Sequence, residues 1–203
     1  MADNLRATLL PTAEPYEALG FPLVNSSGES FDNSLRTVTG NDAIVDWVFI
    51  ELRDITEPML VVATRSALLQ GDGDIVDTDG ISPLTFSDIA EGDYHIAIKH
   101  RNHLGVMTQN PISLGENTGV IDFSDPNLLM YGTNARNTTN GVAKLWSGDA
   151  TGDSSINAAD RSETWNERNQ SGYLEADVDL DGSCNAADRS TTWNNRNKVA
   201  QLP

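Results

Sequence analysis

The feature that most constrains this chain is that part of it is written twice. GDATGDSSINAADRSETWNERN at 148–169 is matched 28 residues later by ADVDLDGSCNAADRSTTWNNRN at 176–197, with eleven identical residues in NAADRS, TW, N and RN. Internal repetition of this kind marks one structural unit built from two similar halves. In each copy, side-chain oxygens stand at positions 1, 3, 5, 9 and 12 of a twelve-residue loop, the spacing by which a loop wraps a hard cation. The first loop, Asp149–Asp160, offers Asp149, Thr151, Asp153, Asn157 and Asp160, with the backbone carbonyl of Ser155 at position 7. The second, Asp177–Asp188, offers Asp177, Asp179, Asp181, Asn185 and Asp188, with the carbonyl of Ser183.

Every candidate donor is a hard oxygen and neither loop contains histidine, so the pattern calls for two Ca2+ ions rather than a transition metal. A single Asp-rich stretch reads equally well as a solvated turn; two in register, with the same flanks, favour the ion. Loop 2 carries four carboxylates and Gly182 at position 6, where the turn is sharp. Loop 1 has three, a hydroxyl at position 3 and Ser154 at position 6. Tighter binding at loop 2 is therefore expected. Cys184 sits at position 8, where loop 1 has Ile156, and is expected to be a buried, inert thiol, because a soft sulfur suits calcium poorly.

After each loop, DRSETWNERN and DRSTTWNNRN predict a short helix capped by the loop aspartate, with Trp165 and Trp193 as the only large apolar anchors. Packing of these rings against Ile156, Leu180 and Tyr173 in a small core is the expectation, with sugar stacking as the alternative. So small a module gains little from apolar burial, and metal binding would make up the deficit, so its structure should be lost without calcium.

The remainder predicts strands. In AIVDWVFIEL, Val45, Trp47 and Phe49 fall on one face and Ile44, Val48, Ile50 and Leu52 on the other, the pattern of a central strand. A second strand is expected over Met59–Leu69. Tyr94, Ile96, Ile98 and His100 alternate with His95, Ala97 and Lys99, predicting a strand with one buried face. Val106, Met107, Val120, Ile121 and Phe123 supply later strands. No helical period shows in residues 1–130, so the fold class expected is mainly β: an immunoglobulin-like antiparallel β-sandwich over 1–143, then a small module with short helices over 144–203. Residues 3–41 read as loops and short edge strands, and Asp125–Gly141 as a connector.

A net charge of −17, from 30 acidic against 13 basic residues, argues against a nucleic-acid partner. The absence of a long apolar run argues against a membrane span. The stretch Met1–Ala13 lacks the pattern of a signal peptide, so an exported protein would show its mature part here. Cys184 is the one cysteine, so no disulfide can form within the chain.

Other clusters admit two readings each. Asp72, Asp74, Asp77 and Asp79 would make a third calcium site or a solvated turn. His100 and His103, with Arg101 between them, would bind a metal or an anion, or serve structure. Glu51, Arg53, Arg65 and Arg101 would form ion pairs or a glycan groove. No nucleophile signature or phosphate-binding glycine loop is present, so an enzyme is not expected.

On these residues the paired loops resemble type I dockerin modules, over about residues 147–198. The whole chain resembles the C-terminal region of large secreted or surface bacterial proteins, in which a β-sandwich with motifs like NDAIVDWVFIELRD, VVATRSALLQ and IAIKHRNHLGVMT precedes such a pair. Dockerins plug into cohesin domains, so the resemblance implies an extracellular docking role with a cohesin-like or cell-surface protein partner, often in polysaccharide-degrading systems. It also implies that positions 10 and 11 help choose that partner. Here they are Ala158, Ala159, Ala186 and Ala187, the same in both copies. Arg161 and Arg189 stand where a leucine is usual. The contrasting expectation is a carbohydrate-binding β-sandwich for which the calcium module is only a structural cap, and a third is that the β domain is an enzyme.

Overall fold

The apolar run near residue 45 becomes strand β1, Ile44–Arg53, and every residue of it is buried in the computed structural model. The structure describes residues 3–26 and 28–203; Met1 and Ala2, at the start of the expected sandwich, and Ser27 in its lead-in lie outside the described residues. A strand apolar on both faces can bury both only at the middle of a sheet. Accordingly β1 pairs antiparallel with β2 (Val61–Gln70) on one side and with β4 (Gly92–Lys99) on the other. Short strands finish the sheet: β3 (Ile75–Val76) beside β2, and β5 (Val106–Met107) and β6 (Ile112–Leu114) beside different stretches of β4. The protein is mainly β, with these ladders all antiparallel, as expected from sequence.

Each sheet face carries its own apolar cluster. On one, Leu5, Leu10, Tyr16 and Phe31 from the first forty residues pack on Ile44, Trp47, Phe49, Leu68 and Val76. On the other, Val48, Ile50, Leu52, Ala63 and Ala67 meet Ile96, Ile98, Val106 and Ala135. The N-terminal segment, expected as loops, is mostly turns with a 3-10 helix at Asn33–Thr37, and it forms a covering layer. Tyr16 donates its hydroxyl to the Trp47 carbonyl (2.7 Å), and the Trp47 indole donates to the Pro11 carbonyl (2.9 Å). These ties hold loop backbone against the sheet.

Several expectations need correction. Ile44 joins the side of Trp47 and Phe49, because the ladder slips between Ile44 and Asp46 and shifts the alternation by one. β4 is buried on both faces from His95 to Ile98, since neighbouring segments cover its outer side as well. Val120 is almost fully exposed, and Ile121 and Phe123 lie outside the strands, packing only partly on the second cluster. The Asp125–Gly141 stretch is docked rather than free: Met130 bridges Thr108, and the Arg136 guanidinium donates to the carbonyls of Phe123, Asp125 and Leu128. It ends in a hairpin of β7 (Asn137–Thr139) and β8 (Val142–Lys144).

Beyond this hairpin come β9 (Ser155–Ile156), α1 (Ala158–Asn166), α2 (Ala186–Asn194) and β10 (Lys198–Val199). Tyr173 and Leu180 from this part pack on the first apolar cluster of the sheet. No helix among the described residues is long and apolar enough to cross a membrane.

Candidate metal centre

Each loop closes into the first turn of its helix. Asn157 is the N-cap of α1, its side-chain oxygen accepting from the Ala159 N–H, while Asp160 reaches back to the Asn157 N–H (2.7 Å). Asn185 and Asp188 repeat this capping box at α2. The predicted cap was the loop aspartate alone; the asparagine supplies the cap and the aspartate completes the box. Position 9 of each loop is thus engaged with helix backbone.

The fold gathers three carboxylates per loop. Oxygens of Asp149, Asp153 and Asp160 lie within 4.8 Å of one another, as do those of Asp177, Asp179 and Asp188. Thr151 turns its hydroxyl to Asp160 (2.8 Å), and Asp181, outside the second triplet, accepts from the Ser183 N–H and the Asn185 amide. Ser155 and Ser183 sit mid-loop at position 7, Ser155 in β9 and Ser183 bridging Ser171. Ala158, Ala159, Ala186 and Ala187 are exposed in the first turns of the helices.

Positions 4 and 6 both take the left-handed conformation in both loops. In loop 1 these are Gly152 (φ 67°) and Ser154 (φ 68°), and in loop 2 Leu180 (φ 63°) and Gly182 (φ 90°). Each loop therefore has one glycine and one strained residue, and the backbone advantage expected for loop 2 disappears. Gly182 has a second reason to be glycine, because a Cβ there would approach Leu9 Cδ1 to 2.8 Å.

Crowded carboxylates raise one another's affinity for protons. Burial first, then the Asp160 charge, push Asp149 up to about 7. Burial likewise lifts Asp177 to about 6, with Asp188 adding to it and the Gly182 N–H and Arg101 opposing. Asp179 is raised by burial and by Asp188 and Asp181. Oδ1 of Asp149 is buried and meets no hydrogen-bond donor. A hard divalent cation fits these observations: it would neutralise the clustered charge and occupy the orphaned oxygen. Cys184 is fully buried, donates to the Thr164 carbonyl (3.2 Å), and is pushed up to about 12, mainly by burial.

The two copies lean on each other. The chain leaving α2 pairs with loop 1, Asn197 N–H donating to the Ile156 carbonyl and Ala200 N–H to that of Ser154. The chain leaving α1 pairs with loop 2, Asn169 N–H donating to the Cys184 carbonyl and Cys184 N–H to that of Gln170.

Trp165 and Trp193 do not form the expected small core. They are 48% and 42% exposed. Arg161 of α1 lies over the Trp193 ring and Arg189 of α2 over Trp165, with Arg196 and Arg168 stacked on the same rings in turn. The small core is instead Ala150, Ala176, Val178 and Cys184 with Leu174 against it. The physical reason is the helix register: position 16 of each copy, Thr164 or Thr192, is the buried one, which turns the next residue outward.

Sequence reasoning missed the contact with the sheet. Asp46, at the slip in β1, is fully buried and accepts from the Tyr173 hydroxyl (2.6 Å) and Arg101 (3.1 Å), with His100 Nε2 at 3.2 Å. Burial alone would raise this carboxyl, but Arg101, His100 and Tyr173 together hold it well below the usual carboxylate range. Arg101 also donates to the Leu174 carbonyl and lies over the Tyr173 ring. His103, beside His100, is pushed well below its usual range by burial and by the charges of His100 and Arg101. The histidines thus serve structure. One signal was available: Asp46 stands in the most apolar part of its strand and must find buried partners, and KHRNH at 99–103 runs out of the neighbouring strand β4.

The remaining clusters resolve similarly. Glu51 pairs with Arg53 and Lys99, and Arg65 with Glu29 and Asp77, so these groups form ion pairs rather than an open groove. Asp72 and Asp79 accept from backbone in their own turns and Asp77 from Arg65, and none of the four acids near residue 75 joins a carboxylate triplet among the described residues.

No family model matches the chain, and no curated protein matches it. Among solved structures, a chain of a C-terminal interface mutant of a type II Cohesin–X–Dockerin complex from Acetivibrio cellulolyticus is similar at 21% identity and a TM-score of 0.43, over 75% of this chain and 82% of that chain. A chain of the corresponding N-terminal interface mutant is similar at 19% and 0.40, with the same coverage. At these values neither likeness transfers a residue role or a partner.

Proposed function

We propose that residues 144–203 bind two calcium ions, one in each loop, and that the chain is a non-catalytic docking or adhesion unit of a larger secreted or cell-surface protein. The observation that carries this is the gathering of a carboxylate triplet in each loop, Asp149, Asp153 and Asp160 at positions 1, 5 and 12 and Asp177, Asp179 and Asp188 at positions 1, 3 and 12. With them, the carbonyls of Ser155 and Ser183 and the side chains of Thr151 and Asp181 would complete each oxygen shell, and Asn157 and Asn185 would act through water, as position 9 often does. Tighter binding at loop 2 now rests on its fourth carboxylate alone. Extracellular calcium is abundant enough for modest affinities to suffice.

Docking is supported by the likeness of the loops to dockerin loops and by the exposed pairs Ala158–Ala159 and Ala186–Ala187, which offer the same small surface twice. A cohesin-like or surface protein would be the partner. The second reading, a structural cap on a carbohydrate-binding sheet, is favoured by one observation: the contacts of Tyr173, Leu174 and Glu175 with Asp46, Arg101 and Asn102.

Calorimetric titration of the chelator-stripped chain should show two bound ions, and the melting temperature should rise with calcium. At a free concentration a hundredfold above Kd, each site adds about 2.7 kcal/mol. Absence of binding defeats the proposal. Calcium-dependent pull-down of a surface protein then favours docking, whereas retention on a polysaccharide gel favours the cap.

A further inference from the structure

Asn102 lies in the polar turn after β4 and is fully buried. Its backbone carbonyl accepts from the N–H groups of Gly148 and Asp149, both at 3.1 Å. Its side-chain Nδ2 donates to the carbonyls of Glu175 (2.9 Å) and Asp177 (2.7 Å). Asp149 and Asp177 are the first residues of the two loops, so one residue of the sheet domain holds the entrance of both. The side chain is itself fixed: Oδ1 faces His103 Nδ1 at 2.8 Å, and the backbone N–H points to His100 Nδ1 at 3.4 Å. Beside it, Ser147 donates to the Val178 carbonyl (2.6 Å), a second stitch between the same two entrances.

We propose that Asn102 is a positioning residue that couples the two calcium sites, so that an ion in one loop prepares the other. This rests on the calcium reading given above. The physical route is short. An ion held by Asp149 orders the start of loop 1, and the Asp149 N–H passes that order to Asn102. The Nδ2 of Asn102 then presents the Asp177 peptide already in place, so loop 2 loses less freedom when it binds. The two arms differ in kind: loop 1 is held by backbone and loop 2 by side chain. Substitution of Asn102 therefore cuts one arm and leaves the other.

The test is calorimetric calcium titration of the full chain in four forms: unaltered, Asn102→Ala, Asp179→Ala to disable loop 2, and the double variant. In the unaltered background, disabling loop 2 should weaken calcium binding at loop 1 about tenfold, a usual size for coupled sites. In the Asn102→Ala background the same change should cost less than about twofold, as for independent sites. An equal cost in both backgrounds overturns the coupling, as does no cost in the unaltered one. Should Asn102→Ala fail to fold by circular dichroism, Asp153→Ala provides the second measurement. With loop 1 disabled, calcium in loop 2 should shift the amide resonances of Gly148 and Asp149, and unmoved resonances overturn the inference. No calcium heat from the unaltered chain defeats the calcium reading itself, a result distinct from two ions that bind independently.

Discussion

Asp149 concentrates the chemistry of the site in one side chain. Its buried Oδ1 lacks a donor and its carboxyl is pushed up to about 7, first by burial and then by Asp160. A protonated carboxyl cannot ligate, so calcium affinity should rise from pH about 5 to about 8, with protons released on binding below neutrality. In the metal-free chain the sign is opposite. A folded-state value above the unfolded one gives stability that is full below pH about 4 and lost as pH passes through about 7. Asp149→Asn removes that loss, so the chelated variant should melt higher than the chelated parent at pH about 8 while failing to fill loop 1. A lower melting point would refute the account. The gathering of carboxylates was legible in sequence because acids recur at fixed spacing in both loops; the burial and the orphaned oxygen were not, because they depend on packing from elsewhere.

At the scale of elements, the helices were legible through their duplicated flanks, but the environment of their tryptophans was not. Propensity and composition favour burying an indole, and only the register of α1 and α2 turns Trp165 and Trp193 outward beneath an arginine of the other helix and one just past the end of their own. A stacked, half-exposed ring contributes less than a core one. Trp193→Ala should therefore cost about 1–2 kcal/mol by denaturant unfolding, against about 3–5 kcal/mol for a buried tryptophan. A loss in the upper range would mean the ring is core after all. β1 was legible on both faces because nearly every residue is apolar. Its slip near Asp46 was not, since alternation carries no mark of where a ladder skips a residue.

Across the whole molecule, the least legible feature is that the duplicated loops and the sheet share buried polar groups. Isolated residues at long separation carry it, and periodicity cannot report them. Tyr173 donates to Asp46 across 127 positions of chain. Tyr173→Phe should cost about 1.5–3 kcal/mol, the size of a hydrogen bond to a charged group, seen as a shifted denaturant midpoint with unchanged slope. An unchanged midpoint would show that Asp46 manages with Arg101 and His100. The exchange of segments between the two copies has a different outcome. Asn197 closes against Ile156 and Asn169 against Cys184, so each half ends by fastening the other's loop. A gene keeping only one half would encode a hook without its eye. Two such chains could trade tails and fasten each other, and the duplication thus does inside one polypeptide what a symmetric pair would otherwise have to find by collision.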